Sequence, residues 1–179
     1  TILYDEGQQA IATESRRVIA GMERFHDDRT ADRGVTSVLG RTGAVTGPVD
    51  VSRSQFFGDP RRSPTHVDVL SFHSLIEHKF DSGVMLQNRT NYATYDKFYQ
   101  NVFANGGLNT VTGLVSIGAY NNTTSRENVF NQTNLLYTVN TGPVSHTLMA
   151  GVEVGRQETH NRRATGLFNN DPANTNLLV

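Results

Sequence analysis

The chain has 179 residues, a formal net charge of -1, no Cys and no Trp, and is long enough to form a domain with its own core. Charged residues make up only 18%, below the usual ~25%, so the 20 Thr and 16 Asn carry much of the polarity on uncharged hydrogen-bonding side chains. Disulfide frameworks, thiolate metal sites and cysteine nucleophiles are thereby excluded. Near-zero net charge without a Lys/Arg-dense stretch argues against a phosphate-tracking nucleic-acid binder. No apolar run approaches the ~20 residues of a membrane helix, whereas a membrane β-barrel stays open because its strands give only short alternating segments.

In chain order, residues 1–13 give no pattern. Residues 14–26 read as a strand whose alternation is blurred by Arg16-Arg17 and Glu23-Arg24, and residues 27–65 as a long link rich in Gly, Asp and Pro. The clearest strand is 67–80: Leu70, Phe72, Ile76 and Phe80 share the even face, while His73, Glu77 and Lys79 lie on the odd one, a period of two. Asp81-Ser82-Gly83 is a compact turn. From Val84 the even residues Val84, Leu86, Thr90, Tyr92 and Thr94 make a less polar face against Gln87, Arg89 and Asn91, with Asn88 breaking the pattern.

A link is predicted over roughly 100–113, around Asn105-Gly106-Gly107. A strand begins near 114–120, and the polar stretch 121–127 either interrupts or extends it. Val129, Thr133, Leu135, Tyr137 and Val139 then alternate with polar neighbours up to the turn Thr141-Gly142-Pro143. The last strand, 144–158, sets Leu148, Ala150, Val152 and Val154 against Thr147, Gly151, Glu153, Gly155 and Gln157. Two glycines and a carboxylate suit a wet barrel interior better than the outside of a soluble sandwich.

Tight turns thus alternate with long links, and everything after 159 is a further long link. In an up-and-down antiparallel meander this puts all turns at one end and all loops at the other. The expected fold is all-β: a partial arc of a large transmembrane β-barrel with long extracellular loops and short periplasmic turns. Strands of about 14 residues exceed the 9–11 that a bilayer requires, so some project beyond the lipid.

Five segments, in order, resemble the barrel of TonB-dependent siderophore receptors. They are Phe25-His26-Asp27-Asp28-Arg29-Thr30-Ala31-Asp32-Arg33-Gly34; Gly47-Pro48-Val49-Asp50-Val51-Ser52-Arg53-Ser54-Gln55-Phe56-Phe57-Gly58-Asp59; Ile76-Glu77-His78-Lys79-Phe80 leading into Leu86-Gln87-Asn88-Arg89-Thr90; Tyr95-Asp96-Lys97-Phe98-Tyr99-Gln100-Asn101-Val102-Phe103; and His146-Thr147-Leu148-Met149-Ala150-Gly151-Val152-Glu153-Val154-Gly155-Arg156. The resemblance runs from Met22 to Asn170, and residues 1–21 match poorly. It implies that residues 1–179 belong to the receptor's β-barrel domain, that the family's plug domain is absent from this stretch, and that the chain is an internal piece, about a quarter of a 22-strand barrel.

The same resemblance implies transport of a ferric siderophore across the bacterial outer membrane, driven by TonB through the missing plug. Outer-membrane lipid is then the surrounding partner, with no nucleic acid, no cofactor and no enzymatic step. The ligand candidates are Phe56 and Phe57 with Arg53, Arg61 and Arg62, whose rings and guanidinium groups suit a bulky anionic chelate; self-packing of the loop is the competing reading. Tyr95 and Tyr99, with Phe98 and Phe103, read as an interfacial aromatic girdle, as ligand contacts at the mouth, or as simple loop packing. Gln87, Arg89, Asn91, Glu153 and Gln157 are expected on the lumen side, bonded to the plug.

His26-Asp27-Asp28 with Asp32 does not read as a metal site, because neighbours on a strand point to opposite faces. No G-x-S-x-G elbow holds a serine, and the sequons at Asn88, Asn121, Asn122 and Asn131 follow from the abundance of Asn and Thr. Two other readings compete: a self-contained eight-stranded outer-membrane barrel with an adhesion or structural role, which requires a closed ladder, and a soluble β-rich binding module, which requires one dry strand face.

Overall fold

The structure is a computed structural model describing residues 2–169, 171 and 173–179; Asn170, where the resemblance ends, lies outside them. In chain order the strands are β1 (Ile2–Ala12), β2 (Arg16–Thr30), the short β3 (Ser37–Leu39) and β4 (Val45–Pro48), β5 (Pro64–Lys79), β6 (Val84–Ala104), the two-residue β7 (Leu108–Asn109), β8 (Ser116–Thr141), β9 (Val144–Thr165) and β10 (Asn176–Leu178). Among the described residues there is no α-helix, only a 3-10 turn at Pro60–Arg62 capped by the Asp59 carboxylate.

The long strands form one antiparallel sheet in the order β1-β2-β5-β6-β8, and β9 and β10 both pair with the far side of β8. Tight connections at 13–15, 81–83 and 142–143 close one end, called here the turn end. Links 31–63, 105–115 and 166–175 gather at the other, the loop end. Gly83 (φ 84) and Gly142 (φ 64) supply the left-handed backbone that two of these turns require. At the loop end β3 pairs with β4 and, in parallel, with β7, so the first two long links are knitted together.

Four boundaries differ from the sequence reading. Residues 1–13 contain β1, which pairs with β2 from Ile2↔Asp27 to Ala12↔Arg17. Strand β6 runs on to Ala104, so the link begins at 105; β2 runs on to Thr30 and β5 starts at Pro64, so the first long link is 31–63 and not 27–65; and β9 continues to Thr165, past the predicted end at 158, whereas residues 121–127 lie inside β8 as the extension that the sequence allowed. The cause is common to all four. Ladder bonds such as those of the Gln100↔Asn121 and Asn122↔Arg163 pairs join backbones and are indifferent to side-chain polarity, so a strand wet on both faces shows no hydrophobic period.

The sheet does not close: among the described residues β1 pairs only with β2, and β9 only with β8. The closed ladder of a small self-contained barrel is therefore not present. Nor is there a dry core, since the buried hydrophobic residues among those described are Ile19, Ala31 and Ala93. The sheet is a single layer.

Register assigns every side chain to one of two faces. Even residues of β2, β5, β6 and β9 share a face with odd residues of β8. In the turn-end half this face carries Val18, Met22, Leu70, Phe72, Ile76, Val129, Leu135, Tyr137, Leu148, Val152 and Val154, all 38–62% exposed. Such a continuous uncovered apolar surface is unusual for a protein in water. Asn88, which breaks the sequence pattern, sits inside it, directly opposite Thr133. Its amide donates to Thr133 Oγ1 (2.8 Å) and Asn131 Oδ1 (3.1 Å), while Asn131 donates to Thr90 Oγ1 (2.8 Å). The four side chains satisfy one another.

Toward the loop end this face turns charged along a slanted line. The first charged residues are Asp68 on β5 and Asp96 on β6, which share a row, then Glu127 on β8 two residues lower and Arg156 on β9 two lower again. A fall of four residues over three strand spacings, at ~3.4 Å per residue and ~4.8 Å per strand, is a slant of roughly 40°. On β2 the change comes at Arg24, level with Leu70, off that line.

Candidate functional site

The opposite face is polar in its turn-end half. Gln87, Arg89, Asn91, Glu153 and Gln157, the residues expected on the lumen side, all lie on it: Arg89, Gln132 and Glu153 form one cross-strand row, and Asn91 faces Phe130 one row above. A groove of about 380 Å³ opens among His73, Arg89, Asn91, Phe130, Gln132 and Glu153. Near the turns, Gln87 donates to Glu77 Oε1 (2.7 Å), and the other oxygen of that carboxylate, Oε2, faces Arg17 at 3.6 Å.

Glycines shape this face. A Cβ on Gly21 would collide with the His73 ring, one on Gly155 with the Phe130 ring, and one on Gly151 with the Asn134 carboxamide. Each glycine lets a larger side chain from the neighbouring strand lie flat along the sheet, which keeps the groove shallow.

In the loop-end half the same face gathers rings and cations. Successive rows read Phe25, Val69, Tyr95, Arg126; then Asp27, Val67, Lys97, Thr124; then Arg29, Thr65, Tyr99, Asn122, Arg163. Arg33, from the link after β2, lies 4.4 Å over the Phe103 ring and 5.8 Å from that of Tyr120, and donates to the Tyr120 hydroxyl at 3.1 Å. The Arg163 guanidinium lies 4.0 Å over Tyr120 from the other side. Tyr99 and Phe103 each place their ring centroid 5.7 Å from that of Tyr120.

The cluster is held from below. Ser63, fully buried, donates to the Asp59 carbonyl (2.7 Å) and accepts from the Val102 amide (3.1 Å), and Asn101 donates to the Ala31 carbonyl (3.2 Å). These bonds fix both ends of the first long link against β6, and with it the position of Arg33. A guanidinium stacked on a ring face still presents N–H donors at its edge to an arriving anion.

No protein-family model matches the chain.

The seven ligand candidates do not come together: two lie on the polar face, three line a pocket on the opposite face, and two lie outside both. Tyr95 and Tyr99 belong to the aromatic cluster just described. Phe56, Phe57 and Arg62 instead line a pocket of about 640 Å³ against Val102, Ile117, Ala119, Leu167 and Phe168; by register Val102, Ile117 and Ala119 continue the apolar face. Here the first link folds over the outside of the sheet, pinned by the Gly58↔Phe103 bridge and by the Asp59 amide to the Val102 carbonyl (3.2 Å). Arg53 and Arg61 are exposed outside this pocket, and Arg62 pairs with Asp59 at 3.6 Å. His26 and Asp27 do point apart, His26 to Asp68 (2.7 Å) and Asp27 to Arg29 (3.1 Å).

Sequence reasoning missed Arg33, Tyr120 and Arg163. They come from three separate segments and meet only through the β6-β8-β9 register. A usable signal was the parity of Lys97, Tyr99 and Phe103 on β6, which puts two rings and a cation on the face of Gln87, Arg89 and Asn91.

Proposed function

We propose that the chain is an arc of the wall of a bacterial outer-membrane transporter of the TonB-dependent type, and that the aromatic and guanidinium cluster at its loop end receives a ferric siderophore. The observation that carries the membrane reading is the slanted line on the apolar face. On β9 this face runs from Val144 to Val154 with His146 as its one polar residue; roughly ten rises of ~3.4 Å, inclined at ~40°, make a band about 26 Å tall. Both the height and the slant are those of the lipid-facing band of a tilted membrane barrel, ~25 Å and 35–45°. A single layer with an uncovered apolar face is unstable in water but not against lipid.

On this reading the turn end faces the periplasm, the loop end projects outside the cell, and the polar face looks into the lumen. Its turn-end half, with the groove around Arg89 and Glu153, meets a plug domain; its loop-end half meets the incoming chelate. The iron arrives already chelated, so the wall binds by stacking and charge-assisted hydrogen bonds and makes or breaks no covalent bond. The free edges of β1 and β9 pair with further strands of the same wall, since open edges in lipid are costly. The five receptor-like segments support the finer assignment.

The test is uptake. The intact protein that carries this chain, placed in the outer membrane of a bacterium lacking its own siderophore receptors, is expected to confer uptake of iron-55 from at least one ferric siderophore. That uptake is expected to vanish when TonB is deleted. Uptake indifferent to TonB, or none across tricatecholate, trihydroxamate and mixed-ligand chelates, contradicts the assignment.

A further inference from the structure

We infer that the chelate received at the loop end is a polyanion bearing aromatic ligands, of the tricatecholate class, and not a neutral trihydroxamate. The inference rests on the siderophore reading and adds to it the charge and surface chemistry of the ligand. Five cations converge on the loop-end half of the polar face: Arg29, Arg33, Lys97, Arg126 and Arg163. In the same rows, among the described strand residues of β2, β5, β6, β8 and β9, the only carboxylate is Asp27, already paired with Arg29. Asp32, in the adjoining link, accepts from the Gly34 amide of its own turn at 2.8 Å.

This excess belongs to one face. Toward the loop end of the opposite face the two signs are interspersed: Asp28, Asp68, Asp96, Glu127 and Glu158 stand among Arg24, Arg156 and Arg162, with Arg156 paired to Glu158 at 2.6 Å and the His26 and His66 rings beside Asp68 at 2.7 Å and Asp28 at 3.1 Å. A surface that merely had to stay solvated would resemble that mixture. Like charges gathered beside aromatic rings cost free energy through mutual repulsion and desolvation, and a bound anion recovers it.

Ligand chemistry then decides between the two classes. Three catecholates bring six negative charges to one ferric ion and leave a complex with three; three hydroxamates bring three and leave none. Catecholate rings also offer flat faces to Arg33 and Arg163, which already lie over Phe103 and Tyr120, and edges to Tyr99. A neutral hydroxamate chelate presents neither the charge nor the rings.

Binding of two iron-55 complexes, ferric enterobactin (a tricatecholate) and ferrichrome (a trihydroxamate), to membranes carrying the intact protein tests this. The tricatecholate is expected to bind at least about tenfold tighter at low ionic strength, with the advantage shrinking as salt rises. The pair Arg33→Gln and Arg163→Gln is expected to lower tricatecholate affinity by about tenfold and to flatten its salt dependence. Should those variants fail to insert, the unaltered protein's preference and its salt dependence still decide the matter. Equal or tighter binding of ferrichrome overturns the charge assignment while the siderophore reading stands; binding of neither complex overturns the charge assignment, and the siderophore reading then rests on the uptake test with mixed-ligand chelates.

Discussion

The turn-end and loop-end halves of the sheet are built from the same strands in one register, yet their faces follow different rules. In the turn-end half one face is apolar and uncovered, and the other is polar with mixed charge around Arg89 and Glu153. In the loop-end half the first face becomes charged, with carboxylates and arginines interspersed, as in Arg156–Glu158, while the second concentrates cations among rings. A strand's alternation specifies only that its two faces differ. What each face meets is specified separately, row by row along the strand.

The largest expected effect breaks this contrast directly. Val152, 62% exposed on the apolar face, is expected to tolerate Arg poorly: Val152→Arg costs about 2–4 kcal/mol if that face lies against lipid. Thr123→Arg, in register with the same face but at the loop end, is expected to cost less than about 0.5 kcal/mol. Urea unfolding of the intact protein from phospholipid bilayers measures both. Equal costs would erase the distinction between the halves.

The next effect concerns the polar face. Gly155→Leu drives a side chain into the Phe130 ring and is expected to destabilise by about 1–3 kcal/mol, with part of the loss recovered by adding Phe130→Ala. Gly7→Ala, where a Cβ meets nothing within 4 Å, is the control and should not destabilise. The same unfolding assay reads all of these variants.

A smaller effect is expected within the apolar band. Asn131→Val leaves the Asn88 amide short of a partner and costs about 1 kcal/mol. Adding Asn88→Leu is expected to restore most of that, with a coupling near ~0.6 kcal/mol, as for polar pairs in membranes. The smallest effect is at Arg61, outside both the ring cluster and the Phe56–Phe57 pocket. There Arg61→Ala should leave chelate affinity within about twofold.

How much was legible in the sequence follows the same division. Strands 67–80 and 144–158 showed a two-residue period because one face of each is apolar at the turn end. Strand β1 and the loop-end stretches of β6, β8 and β9 did not, because Gln8 and Gln9, or Asn121 and Asn122, are polar whichever face they take. That Gln87, Arg89, Asn91, Glu153 and Gln157 share a polar face was legible from parity alone, and register puts all five on one face.

The aromatic and cationic cluster was half legible: Tyr95 and Tyr99 were among the ligand candidates, but the cations beside them are Arg33, from the start of the first link, and the strand residue Arg163, not Arg53, Arg61 and Arg62 from the middle and end of that link. Arg33 and Tyr120 stand 87 residues apart, and no local spacing announces a contact set by three strand registers. Phe56-Phe57 with its arginines was the more conspicuous sequence feature. The chain spends those two rings on folding the first link over the outside of the sheet.

The most direct test of the two-half account uses the absence of cysteine from these 179 residues, with any cysteine elsewhere in the intact protein first replaced by serine. Single cysteines placed one at a time along β9 from Val144 to Thr165, in the intact protein in a bilayer, are labelled with a fluorophore and quenched from lipid or from water. The account predicts quenching from lipid at positions 148, 150, 152 and 154, from water at 158, 160 and 162 on the same face, and no lipid quenching at the odd positions. Lipid quenching that continues unchanged past Arg156, or water quenching at both parities through the turn-end half, would contradict it.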